Sequence, residues 1–207
     1  MIRVITLIVA ILLAIPGEAR SAGGFFATAP DRVVKLIPQS TRLDMVDYFN
    51  YGSTRPSQNA FGGNARITAL SDATVDFIVD EGVSMQIAVI PTKSDTIIAV
   101  VTTLYMPVAD SSIKYFDKDW AELRSAPFTM PGYDDWLTSD ARTRLDEIKM
   151  HLPFIPVKAE FSQDATGLIL TNGAEEYLGD EQYKEYAPFL VPAKTFIISS
   201  GRFTNQK

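Results

Sequence analysis

From about residue 66 to residue 116 the chain alternates apolar and polar positions with a period of two, the mark of half-buried strands. Five runs stand out. Ile67 to Leu70 is short. Ala73 to Asp80 puts Val75, Phe77 and Val79 on one face and Asp76, Ile78 and Asp80 on the other. Glu81-Gly82 turns the chain into Val83–Ile90, with Val83, Met85, Ile87 and Val89 in phase. Lys93-Ser94-Asp95 turns it again into Thr96–Met106, apolar on both faces and so predicted at a sheet centre. Ser111–Phe116 is the fifth. Short strands joined by short turns predict an antiparallel meander.

Elsewhere the period lengthens or disappears. Residues 25–39 read as a short helix with Ala29-Pro30-Asp31 in its first turn and Val33, Val34, Leu36 and Ile37 on its apolar face. Residues 41–51 read as a second, with Thr41 and Asp44 at capping-box spacing, Leu43, Val46 and Phe49 recurring every three residues, and Gly52 at the C-cap position. Residues 53–65 form a polar, Gly-rich loop. Residues 121–140 lose periodicity around Pro127, Pro131 and Gly132. A helix is predicted over 139–151, paired strands over 157–162 and 167–171, a short helix over 180–186, and a closing strand over 195–203 that bends at Ser200-Gly201.

Strands in runs, not alternating with helices, predict an α+β fold: an antiparallel β-meander packed by N-terminal and central helices. The order also divides into two helix-then-strands halves, the arrangement of the β-lactamase-inhibitor fold. Residues 22–207 therefore make a single α+β domain, or two lobes (22–120 and 138–207) joined by a 121–137 loop.

The first residues change the compartment. Arg3 precedes an apolar run from Val4 to Ile15, and Pro16, Gly17 and small residues follow. This is the order of a secretory signal peptide over residues 1–21, with cleavage after Ala19 or Ser21. The run is about a dozen residues long, short of the roughly 20 of a membrane-spanning helix. The expected mature form is periplasmic or extracellular, with no membrane span and, lacking cysteine, no lipoprotein anchor. Zero cysteines also exclude thiol nucleophiles and Cys-ligated metals. A net charge of −6 with scattered basic residues argues against nucleic acid and anionic membrane as partners.

Candidate chemistry is thin. His151 is the one histidine, placed at a helix C-terminus, and no Gly-x-Ser-x-Gly elbow accompanies it. Paired carboxylates leave glycoside hydrolysis open. Asp72, Asp76 and Asp80 share a strand face, Asp134-Asp135 adjoin Trp136, and Glu175-Glu176 precede a helix. Each is also what solvated surface charge looks like in an acidic chain. Asp117-Lys118-Asp119 has the spacing of a calcium loop without its other oxygen ligands, and Phe61-Gly62-Gly63-Asn64 lacks a phosphate-loop lysine. No catalytic, metal or cofactor site is predicted. Aromatic residues flank the loops: Tyr105, Trp120, Tyr133 and Trp136 are candidates for a binding surface if exposed, and inter-layer core if buried.

Leu36-Ile37-Pro38 followed by Thr41 to Phe49, Val100 to Thr103, Pro107 to Ser111, Tyr115 to Trp120 and Tyr186 to Leu190 together resemble, in that order, a Bacteroidales exported family known only as a domain of unknown function (DUF3256-like). The resemblance implies export and a Bacteroidales source, and it carries no activity or catalytic residue. The favoured expectation is a non-catalytic envelope binding module whose partner is an envelope protein or glycan. The alternatives are a carboxylate-based glycan hydrolase and an inhibitor-like protein with an aromatic-lined sheet face.

Overall fold

The computed structural model describes residues 21–53 and 55–206. The segment read as a signal peptide lies outside them except for Ser21, whose Oγ accepts the Gly24 N–H at 3.3 Å and caps the first helix, α1 (Ala22–Thr28).

The expected helix over 25–39 is instead α1 followed by turns. Ala29 stands before Pro30 and is driven to an extended backbone, ψ 137°, which ends the helix there. Val34 and Ile37 are buried all the same, so the apolar pattern reported burial and not helicity. Arg42 holds this turn segment in place. Its side chain is 1% exposed, and its guanidinium donates to the carbonyls of Ala29, Val34 and Ile37, the last at 2.6 Å. Burial draws the Arg42 pKa below the usual arginine value, and Asp31 pulls it back up.

Arg42 belongs to α2 (Gln39–Asn50). The helix begins at Gln39 behind Pro38, so the Thr41/Asp44 capping box does not form. Its inward stripe is Arg42, Met45, Val46 and Phe49, while Leu43 faces solvent. Its C-terminus is a Schellman motif. Gly52 sits at φ 70°, its N–H bonds to the Phe49 carbonyl, and the Ser53 N–H bonds to the Tyr48 carbonyl.

Six strands follow as a meander in chain order: β1 (Ser57–Gln58), β2 (Asn64–Leu70), β3 (Thr74–Asp80), β4 (Val83–Pro91), β5 (Thr96–Tyr105) and β6 (Ala109–Phe116), all antiparallel. One face of this large sheet carries Phe77, Met85, Ile87, Ile98 and Val100 against Phe25, Phe26, Val34, Ile37 and Met45. The other carries Ala88, Ile90, Ala99, Val101 and Tyr115 against a second sheet. Strand β5 is apolar on both faces because it lies between these two layers.

The second sheet has four antiparallel strands in the order β10-β9-β8-β7: β7 (Val157–Phe161), β8 (Gly167–Asn172), β9 (Ala193–Ser199) and β10 (Arg202–Gln206). The expected bent strand over 195–203 is a hairpin. Ser200 (φ 49°) and Gly201 (φ 75°) both take left-handed conformations, as a two-residue turn of matching twist requires. The expected helix over 139–151 is a 3-10 turn, Ser139–Arg144, running into α3 (Leu145–His151). Helix α5 (Asp180–Tyr186) matches its prediction; α4 (Ala174–Leu178) is an additional helix, with Glu175 and Glu176 in its first turn. These helices close around Ile148, Leu152, Ala174, Tyr186 and Leu190 at one end of the small sheet. The fold is α+β, helices before strands in both halves, with α4 and α5 interrupting the second run.

Candidate functional site

The small sheet does not cover the whole inner face of the large one. Cross-strand register places Asp76, Gln86 and Val101 in one row of that face, and Ile78, Ser84, Thr103 and Ser111 in the next. Strand β7 runs along these rows, and its outer edge is docked onto them. The Gln86 amide accepts from the Phe161 N–H at 2.7 Å and donates to the Phe161 carbonyl at 2.9 Å. Ser111 Oγ accepts from the Ala159 N–H, and Asp110 Oδ1 from the Val157 N–H, both at 3.0 Å. An edge strand thus meets side chains where another strand would pair.

Because Val157, Ala159 and Phe161 point into the core, period two sends Lys158 and Glu160 outward. They form one wall of an open groove of about 500 Å³. Asp76, Ser84, Gln86 and Thr103 lie on its floor, and Tyr105 stands at its end. The Tyr105 hydroxyl and Ser84 Oγ are 3.1 Å apart, and Lys158 Nζ meets Glu160 Oε2 at 2.9 Å.

Burial pushes the Asp76 carboxyl up from 3.8 to about 6. Gln86 draws it down, Glu160 raises it, and Lys158 draws it down again. Glu160 in turn raises the pKa of Lys158. Asp76 therefore changes protonation in mildly acidic solution: a hydrogen-bond donor below the transition, an acceptor above it. Glu160 supplies a second carboxyl in the same groove.

Of the aromatic candidates, only Tyr105 reaches this groove, 42% exposed. Trp120 and Trp136 are not surface residues: they are 5% and 1% exposed. Trp120 sits edge-on to Phe25 and Phe116 in the helix-side core, and Trp136 fills the core between the sheets. Their place beside loops suggested exposure, but each ring plugs a layer boundary. Tyr133 is half-buried elsewhere, its hydroxyl donating to the Leu152 carbonyl at 2.8 Å, and burial raises its pKa.

The acidic sets come apart in the same way. Asp76 enters the groove, whereas Asp72 precedes β3 in a turn and Asp80 closes the strand, accepting from the Glu81 N–H. Asp135 Oδ2 accepts the Gly132 N–H, and Asp117 Oδ1 accepts the N–H groups of Asp119 and Ala121, so both are turn residues. No cluster of metal-ligating side chains occurs among the described residues. His151 Nδ1 lies 2.9 Å from the Gln182 amide, and its ring packs tilted against Tyr186. Sequence reasoning missed Gln86, Lys158 and Glu160. The one signal was Gln86 itself, an amide interrupting an apolar strand.

The fold has a solved counterpart. A domain of an uncharacterized protein from Porphyromonas gingivalis W83 superposes with a TM-score of 0.75 at 21% identity, over 89% of this chain and 96% of that one. No curated protein matches the chain. The family described as "Protein of unknown function (DUF3256)" matches residues 15–203. That match spans both sheets and the helices between them, and the chain belongs to this family.

Proposed function

We propose that the protein is an exported, non-catalytic binding module that seats a segment of envelope glycan in the groove beside β7. The observation that carries this reading is the uncovered polar part of the large sheet. Carboxyl, amide and hydroxyl groups (Asp76, Glu160, Gln86, Ser84, Thr103) converge there beside the exposed Tyr105 ring. That mixture suits a ligand rich in hydroxyls, with an aromatic ring against its apolar face. The apolar leader at the N-terminus supports export, and no helix among the described residues is long and apolar enough to cross a membrane.

Isothermal titration of the mature chain with peptidoglycan fragments and other envelope glycans tests the reading. A saturable glycan whose Kd rises about tenfold in Tyr105→Ala is expected. Short peptides binding there in place of glycans, or no glycan binding in that panel, overturns it.

A second reading, a glycan hydrolase, draws on one observation: Asp76, raised to about 6, and Glu160 share the groove. Chromatography of the same glycan mixtures decides between the two. Shortened products that disappear with Asp76→Asn establish hydrolysis, and unchanged glycan with binding intact establishes the module.

A further inference from the structure

The opposite face of the large sheet carries a second cavity that the glycan groove does not use. Helix α1 lies over β3 and β4, and α2 over β2. The far ends of β4, β5 and β6 are left to the turn segment after α1. Between that segment and the sheet lies an opening of about 330 Å³. Its floor is Val79, Val83, Met85, Val100 and Phe116, with the Thr102 hydroxyl as a polar point. The volume is at the lower end of the roughly 300–1,000 Å³ of small-molecule pockets, and the apolar lining is what such pockets use.

The rim is mainly cationic, with Glu122 as its one carboxylate. Arg32 and Lys35 rise from the turn segment and Lys114 from the edge strand β6. Lys114 contacts Glu122 at 3.5 Å, both side chains more than half exposed, a pair of little strength. Among the described residues, neither Arg32 nor Lys35 has a carboxylate within 4.0 Å; Arg32 donates instead to the Trp120 carbonyl. Three cations against one carboxylate leave an excess of positive charge around the apolar well, in a chain of net charge −6, and complement an anion with an apolar tail.

We propose that this cavity binds a medium-chain carboxylate, its hydrocarbon tail on the valine, methionine and phenylalanine floor and its carboxylate at Arg32, Lys35 and Lys114. Phe116 on that floor packs edge-on against Trp120, whose indole emission therefore reports occupancy.

Titration of the mature chain with decanoate, below its micelle concentration, is followed by tryptophan fluorescence and calorimetry. One-to-one saturation with Kd on the order of 10–100 µM is expected. Decyltrimethylammonium, with the same tail and opposite charge, binds about tenfold more weakly. Lys35→Glu, an exposed change, weakens decanoate about fivefold. Val83→Trp, at a half-buried floor position, abolishes binding while circular dichroism stays native. Asp76→Asn, on the other face, leaves it unchanged. Equal affinity for the two amphiphiles, or decanoate binding untouched by both Lys35→Glu and Val83→Trp, overturns the proposal.

Discussion

Asp76 shows how one residue records its surroundings. A carboxyl whose pKa rises from 3.8 to about 6 on folding keeps its proton in the folded state after the unfolded chain has lost it. Stability then falls as pH rises through that window, and the cost is fully present above it. Asp76→Asn removes the cost. The variant is expected to be more stable than the parent by about 1–2 kcal/mol above about pH 7, after discounting for its half-buried position. The difference closes below about pH 4. Urea midpoints at the two pH values check this, and a constant difference across the range means that Asp76 titrates normally.

At the scale of elements, the contact that makes the groove is the Gln86 amide on the Phe161 backbone, a bond spanning 75 residues of sequence. Gln86→Leu keeps the volume and leaves a buried N–H and carbonyl without partners. The expected loss is about 2–4 kcal/mol, read as a drop of roughly 5–12 °C in Tm. Hydrogen exchange at the Phe161 amide should accelerate as well, and an unchanged rate there means that β7 is held by its apolar side alone. Strands β2 to β6 are legible from sequence because β2, β3, β4 and β6 alternate apolar and polar positions, and β5 is a short apolar run bounded by turns, as a strand buried on both faces must be. The groove is not, because it exists only where β7 crosses a face built some 75 residues earlier in the chain. Lys158 and Glu160 look like any solvated pair on an alternating strand. The turns after α1 were misread for a different reason: Val34 and Ile37 are buried by a guanidinium that satisfies their carbonyls, and nothing in apolar periodicity encodes that.

For the whole molecule, the inner face of the large sheet has no alternative cover. Without the small sheet, Ala88, Ile90, Ala99, Val101 and Tyr115 meet water together. The two sheets are therefore expected to unfold in one step. The tryptophans are placed to test this: Trp120 reports the helix-side core and Trp136 the core between the sheets. Trp136→Phe and Trp120→Phe each leave one reporter. Urea transitions should agree, within each variant, with far-ultraviolet circular dichroism. An earlier transition for Trp136 means that the small sheet opens as a separate lobe.

Strand β7 has one more consequence. Its outer N–H groups at Val157, Ala159 and Phe161 and the Phe161 carbonyl are taken by Asp110, Ser111 and Gln86, so this edge is docked and the small sheet offers a free donor edge at β10 alone. In the language of polymer chemistry, such a sheet is an end-capped monomer. Two molecules that join β10 to β10 present only docked β7 edges at the ends of the joined small sheets, and growth of that sheet terminates at the pair instead of propagating as a fibre.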